Sequence, residues 1–436
     1  MSLLLRIGLP LLCLVAVGII TSRSTFLAAV LVWVAFFWDG YWFGVESPII
    51  YQTQGEMNFH LMDLVASVIL AGAVIRLIAG RTLSIPQKLL IAFGAVVALS
   101  FVRGVADCGL QAAGNDFRSY LYFLSVALYF STFSLTARDL KHLEYLWLIA
   151  TAILVVAALG RWMFLDVPDT PGAWSGAGGY TLRVLNAWQT LVLGQTLFML
   201  LLSRRRSWSA GMSMVATVVL GVVILVLQHR TVWAVLLASG ALVIWKDPRL
   251  RSRLGLVAIA GLAIFVILVM SDIGTMLLSS LGISIGEATS RKSTFTWRIE
   301  GWWNLLSNMS VWDFILGKPF GSGYFRGIHG GESDLSPHSL YVTTIVRTGL
   351  PGVVLLIALY VRTLRGMKLC RSLFLETSYF TPRILSILLV AQLVYGIAYS
   401  LRYEQGLILG VAMAMAAVKL PGASRSGART CGSRRS

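Results

Sequence analysis

Long apolar runs alternate with short polar interruptions along almost the whole chain. Runs that reach or approach the ~20 residues needed to cross the hydrocarbon core of a bilayer lie near 61–79, 87–103, 119–135, 145–164, 184–203, 210–228, 231–246, 254–271, 350–365, 383–400 and 404–419. Two further runs, about 3–21 and 25–38, precede them. Apolar stretches of this length predict helices, because a segment in lipid must satisfy its backbone groups internally. One interval breaks the rhythm. Residues 272–337 are polar and Gly-rich, too short for an independent domain of typical size, and read as a structured loop held by its flanking spans. Within it, "STFTWRIEGWWNLLSN" has apolar residues at helical spacing, whereas "GKPFGSGYFRGIHGGE" is glycine punctuation that lets backbone come close to a ligand.

The predicted fold is all-α: a polytopic integral membrane protein with about 12 transmembrane helices and one large loop on the outer side. The organisation follows as transmembrane helices over 1–271, the loop with short helices over 272–337, transmembrane helices again over 338–420 and a basic tail over 421–436. Composition excludes the soluble alternative. The chain is 57% hydrophobic and 13% charged, against about 45–50% and about 25% in soluble domains.

Charge then sets orientation. The formal charge of +17 invites a nucleic-acid reading. Lys and Arg, however, cluster in loops between apolar runs ("RRR" at 204–206, "KDPRLRSR" at 246–253, "RTLRGMKLCR" at 362–371) and in the tail "GASRSGARTCGSRRS", where cytoplasmic positive charge orients membrane helices. No nucleic-acid partner is expected. Strict alternation leaves the N-terminus outside unless one of the first two runs is half a hairpin or interfacial, and the parity stays open at this stage. The first run lacks a convincing small-residue cleavage site and reads as an anchor. Of the cysteines, Cys13 falls in an apolar run, Cys108 outside, and Cys370 and Cys431 inside, so no intramolecular disulfide is expected.

Orientation makes the outer arginines conspicuous: Arg118, Arg183, Arg230, Arg291, Arg298, Arg326 and Arg402 stand on the face that the positive-inside rule depletes. Some can pair with outer acids or snorkel to headgroups. Four positions carry candidate chemistry. Arg183 follows a Gly-rich loop at the mouth of a span ("GGYTLRVLNAWQ"), and Arg230 is pinned in a tight hairpin ("LVLQHRTVWAV"). A guanidinium held there offers a planar fork of donors suited to phosphate oxygens. Arg298 sits in "TWRIEGWW", which would also suit a Trp-rich helix lying at the membrane interface. His338, in "SPHSL", is placed where the polar loop gives way to an apolar run; Pro337 and the polar residues before it predict a short helix from His338, broken by "RTGLPG" before a long inward span. A lone interfacial His has a bland role open to it, as a cap on that helix.

In order, "HRTVWAVLLASG", "TWRIEGWWNLLSNMSVWDFILGKPFGSGYF" and "PHSLYVTTIVRTGLPG" resemble the O-antigen ligase and O-antigen polymerase superfamily of bacterial surface-polysaccharide assembly, over about 205–360. The sequence departs from the family pattern at Ser339, where Asn often follows the His, and at Arg347 and Thr348, where an acidic residue is common before GLxG. The resemblance implies a glycosyltransferase of the bacterial inner membrane with its loop and active site facing the periplasm. Its donor would be a glycan on undecaprenyl pyrophosphate, and its acceptor lipid A-core or a second lipid-linked glycan. In such an enzyme His338 would be the general base, and Arg183, Arg230 and Arg298 would bind pyrophosphate. The chain has no Asp-x-Asp motif to hold a metal, and neither metal nor other cofactor is expected. Membrane lipid is the remaining partner.

Two other classes were weighed. A transporter or flippase would use the arginines as an anion gate, but neither internal repeats nor paired broken spans are evident. A metal hydrolase built on His229, His329 and His338 lacks helical or Cys/His ligand spacing.

Overall fold

The computed structural model describes residues 16–38, 49–52, 58–80, 82–164, 184–202, 210–246, 294–328, 331–333, 336–369, 379–400 and 402–417. They are mostly helical. In chain order they form α1 (Ala16–Ser22), α2 (Thr25–Trp38), β1 (Ile49–Gln52), β2 (Asn58–His60), α3 (Leu61–Ile78), α4 (Ile85–Cys108), α5 (Leu110–Ser131), α6 (Ala137–Phe164), α7 (Ala187–Leu202), α8 (Ala210–Val226) and α9 (Arg230–Lys246). After these come α10 (Thr294–Ser307), α11 (Val311–Leu316), β3 (Arg326–Ile328), β4 (Gly331–Ser333), α12 (Leu340–Leu369), α13 (Pro382–Tyr395) and α14 (Tyr403–Ala416). The expected span over 254–271 and the cysteines other than Cys108 lie outside the described residues, and Cys108 is a free thiol.

Among the described residues, four helices, α3, α4, α6 and α12, are long and apolar enough to cross a membrane. The pair α1 and α2, bent by 117° at a short break, makes a fifth if it counts as one span. That bend falls where the sequence left a hairpin half or interfacial segment open. Of the other helices, α7, α8, α13 and α14 are shorter than the runs suggested. At 14 residues, α13 and α14 extend about 21 Å at a rise of about 1.5 Å per residue, less than the hydrocarbon core. The described residues are helical as the all-α expectation has it, apart from two antiparallel hairpins, β1–β2 and β3–β4, whose strands of three or four residues are too short to leave an alternating pattern in the sequence.

The core is built around α5, which packs against α3, α4 and above all α14. Gly406 and Gly410, one turn apart on α14, let that helix lie directly on α5. A Cβ at Gly406 would stand 2.5 Å from the Phe123 carbonyl oxygen, and one at Gly410 would stand 2.7 Å from that of Ala127. Small residues four apart allow this backbone approach where lipid supplies no hydrophobic drive between helices. Polar side chains knit the centre. Gln195 Nε2 of α7 donates to Gln405 Oε1 of α14 at 2.8 Å, Gln392 Nε2 of α13 donates to the Gln405 carbonyl at 3.1 Å, and Tyr360 Oη of α12 donates to Gln392 Oε1 at 2.8 Å.

Alternating helix directions give the bundle two polar ends. At one end Arg76 of α3 binds the Ser22 and Tyr129 carbonyls and the Thr132 hydroxyl, and Gln87 of α4 donates to the Ser131 carbonyl. The other end gathers the starts of α3, α5, α7, α9, α12 and α14 with the ends of α4, α6, α8 and α13. Arg118 meets Asp63 there at 3.2 Å, Arg161 donates to the Val184 carbonyl, and the Leu340 amide donates to the Gly396 carbonyl at 2.8 Å.

The α5–α14 contact can be tested by volume. Gly406→Val should lower the thermal transition of the purified protein in detergent, at an overpacking cost of about 1–3 kcal/mol. Gly221→Ala, on α8 with nothing within 4 Å of the new Cβ, should leave the transition unchanged or raise it. Equal melting of Gly406→Val and the parent would contradict the contact.

Candidate functional site

Three segments meet at the second polar end: α10, the loop running from α11 into the β3–β4 hairpin, and the entry to α12. Tyr324 and Leu305, with Val342 and Val346 of α12, form a small apolar core beneath them. The loop "GKPFGSGYF" is fastened by Arg347, whose side chain is fully buried. Its Nε lies 2.6 Å from Asp116 Oδ2 of α5 and 3.1 Å from Tyr324 Oη. Its Nη1 donates to the Pro319 carbonyl and Ser322 Oγ at 2.9 and 2.7 Å, and its Nη2 donates to the Gly323 carbonyl at 3.0 Å. The guanidinium also lies 4.0 Å over the Tyr324 ring. Asp116 completes the knot by accepting from Tyr324 Oη at 2.7 Å and from the Gly321 amide at 3.1 Å. The GLxG break has a matching cause. Gly349 adopts φ 66°, inside the long helix α12, and a Cβ there would sit 2.5 Å from the Ile315 carbonyl oxygen of α11.

His338 is held from both sides. Upstream, Trp302 Nε1 of α10 donates to the Pro337 carbonyl at 2.8 Å. Downstream, the Leu340 amide bonds to Gly396, and Tyr341 Oη donates to the Leu393 carbonyl at 2.7 Å. Between these anchors His338 takes φ 51°, a left-handed conformation uncommon outside glycine. This corrects the expectation that a helix begins at His338: the helix begins at Leu340. The capping oxygens are those of Ser339, whose carbonyl accepts from the Thr343 amide at 2.9 Å and whose hydroxyl accepts from Val342 at 3.4 Å. The cap role therefore belongs to the serine, and the imidazole is left for another use.

The charges of two cations act on that imidazole. Arg298, on α10, donates through Nη1 to the Ala398 carbonyl at 3.1 Å, and its guanidinium lies 5.1 Å from the Tyr399 ring centre. Arg326, the first residue of β3, packs over Trp297 at 5.6 Å. His338 keeps an exposed surface, yet the protein packed round its ring, and after that the charges of Arg298 and Arg326, hold its pKa below the ordinary histidine value. Among the described residues, Nε of Arg298 and Nε and Nη1 of Arg326 are buried without a hydrogen-bond partner. Such donors beside a neutral base suit a ligand rich in anionic oxygens.

The structure thus brings Arg298 and His338 together. It places Arg230 at the same end of the bundle, half-buried at the first turn of α9 in the tight hairpin the sequence implied. His229 ties that hairpin to the α7 entrance through a 2.6 Å contact of Nε2 with the Leu185 carbonyl oxygen. The charges that depress the His338 pKa are those of Arg298 and Arg326, not Arg230. Arg183 and His329 lie outside the described residues. Sequence reasoning left Arg326 among the outer arginines and assigned no role to Arg347. Both follow or precede glycine-marked breaks, "GSGYFR" and "RTGLPG", which was the signal available. No protein-family model and no curated protein matches the chain.

The electrostatics give a signed expectation. Two cations and burial penalise the protonated ring, so its neutral form should persist to lower pH than usual. In a histidine-labelled sample, with the resonance assigned by its loss in His338→Gln, the His338 midpoint should fall below about 6.5. Arg298→Gln should move it upward. A midpoint at or above the ordinary value in the parent protein would contradict the arrangement.

Proposed function

We propose that this protein is a bacterial inner-membrane glycosyltransferase of the O-antigen ligase type, with about 12 membrane-spanning helices and the His338 end facing the periplasm. It would transfer a glycan from undecaprenyl pyrophosphate to lipid A-core. The observation that carries the reading is His338 itself, fixed in a left-handed conformation beside Arg298 and Arg326 and relieved of helix capping by Ser339. The order of sequence segments that resembles the family supports it independently.

The chemistry follows from those groups. The acceptor hydroxyl oxygen attacks the anomeric carbon of the donor, its proton passes to the neutral imidazole of His338, and the bond from that carbon to the pyrophosphate oxygen breaks. The electron pair leaves with undecaprenyl pyrophosphate, whose added charge is stabilised by Arg298, with Arg183 and Arg230 assigned to the same anion. Fixed cations in a partly water-excluded site act strongly on developing charge. General-base assistance of this kind contributes about 10²- to 10⁴-fold. The reaction as written is metal-independent.

The test is transfer by purified protein supplied with undecaprenyl-pyrophosphate glycan and, separately, lipid A-core or a second donor molecule. Glycosylated lipid A-core is the expected product; lengthened lipid-linked glycan would instead identify a polymerase using the same donor. Transfer should survive EDTA, and activity abolished by chelation and restored by Mg²⁺ or Mn²⁺ would remove the arginine argument. His338→Gln should lose about 10²-fold or more of turnover while still binding donor. Arg230→Lys should recover little of what Arg230→Ala loses, because a point charge cannot reproduce the fork. Near-parental transfer by His338→Gln would overturn the assignment of the base.

A further inference from the structure

Two buried guanidiniums lie close together in the chain at this end of the bundle and are treated in opposite ways. Arg347 meets a carboxylate and four other acceptors. Arg326 is 4% exposed and has no acidic partner within salt-bridge distance among the described residues. Among the described residues its guanidinium makes one long hydrogen bond, Nη2 to the Ser336 carbonyl at 3.5 Å, while Nε and Nη1 have no partner. An unpaired charge held away from water costs several kcal/mol unless something compensates it. A protein that satisfies one arginine so fully and leaves its neighbour open has a use for the open one. The connection between the two is short. Arg347 grips Pro319, Ser322, Gly323 and Tyr324, and the chain runs from Tyr324 through Phe325 into Arg326.

We propose that Arg326 is a further anion-binding residue of the His338 site, and that the Arg347–Asp116 pair is the positioning clamp that delivers it there. The inference rests on the reading above in taking a pyrophosphate group as the anion. Arg298 approaches from α10 and Arg326 from β3, on the two elements that pack together beside the α12 entry. Two guanidinium forks on separate backbones can engage the two phosphates of one pyrophosphate, which leaves the imidazole for the acceptor. Arg347 touches no ligand in this arrangement; it acts only through the loop.

The experiment measures equilibrium binding of inorganic pyrophosphate to the full chain in nanodiscs, without divalent metal. Arg326→Gln should weaken binding about tenfold or more, as expected for a lost charge-assisted fork. Arg347→Met should weaken it comparably, and in the Arg326→Gln background it should cost nothing further. A merely structural role for Arg347 would cost affinity in both backgrounds, so non-additivity is the informative readout. Should Arg347→Met fail to fold, Tyr324→Phe removes the hydroxyl shared by Arg347 and Asp116 while keeping the ring. It should weaken binding only when Arg326 is present. Parental affinity in Arg326→Gln, or no pyrophosphate binding by the parent, overturns the site. Parental affinity in the folded clamp variants, or equal losses with and without Arg326, overturns the clamp. Arg326-dependent pyrophosphate binding by a protein that transfers no glycan keeps this inference and removes the glycosyltransferase reading.

Discussion

The ion pair between Arg347 and Asp116 is the constraint on which the His338 end of this molecule depends. It joins α12 to α5, and through Pro319, Ser322, Gly323 and Tyr324 it fixes a glycine-rich loop whose Phe320 is buried against Phe117 and Tyr120. A buried pair of this kind gives little net stability against an apolar substitute, because both charges must first be desolvated. What it gives is geometry: five directed bonds from one planar group admit essentially one loop conformation. Neighbouring contacts extend the lock. Ser100 donates to the Arg347 carbonyl at 2.5 Å, and Arg103 donates to the Leu316 and Gly317 carbonyls at 3.0 and 3.2 Å, so α4 shares in holding the same turn.

How much of this was legible depended on which physical signal each feature leaves. The positions of α3 to α9 and of α12 to α14 followed from apolar runs, that of α10 from helical spacing, and the hairpin at Arg230 from the three polar residues between two runs, whereas the six-residue α11 left no signal. Helix lengths were less legible. Apolarity marks both lipid-facing and protein-buried segments, so α14, buried along nearly its whole length, reads like a span although it has only 14 residues. The site was half legible. Arg298 and His338 stood out as polar residues at apolar boundaries, but their meeting depends on the path of the loop. That path is set by contacts between Arg347 and residues some 25 positions away, which no local pattern records. The same Arg347 was visible as an oddity before the GLxG break, and its role needed the carboxylate of Asp116, more than 200 residues earlier, to be seen.

The two ends of the bundle show contrasting uses of arginine. Arg76, at the far end, spends its donors on the Ser22 and Tyr129 carbonyls and the Thr132 hydroxyl, and lies 4.0 Å over the Tyr129 ring. Such a residue staples helix ends and has little left for a ligand. Arg298 and Arg326 hold donors in reserve. A charge inside a membrane protein is a candidate for function by default, and the hydrogen-bond inventory of each arginine is what separates the staples from the candidates here.

The strain at His338 and its electrostatics have a common consequence. A left-handed φ at a non-glycine residue persists only where the surroundings over-determine it, and here Trp302 and Gly396 fix the chain on either side. The imidazole is thus held against the cations that disfavour its protonation. Before the donor arrives, burial and then those cations lower the affinity of the ring for a proton, which favours the neutral form that a general base requires. A pyrophosphate bound by the arginines would bring negative charge near the ring and cancel much of their field. The affinity of the ring for a proton would then rise once the leaving group is in place. On the proposed reading, a single pair of guanidiniums both prepares the base and couples its strength to the presence of the donor, so that proton abstraction is favoured only when there is an anomeric carbon to attack.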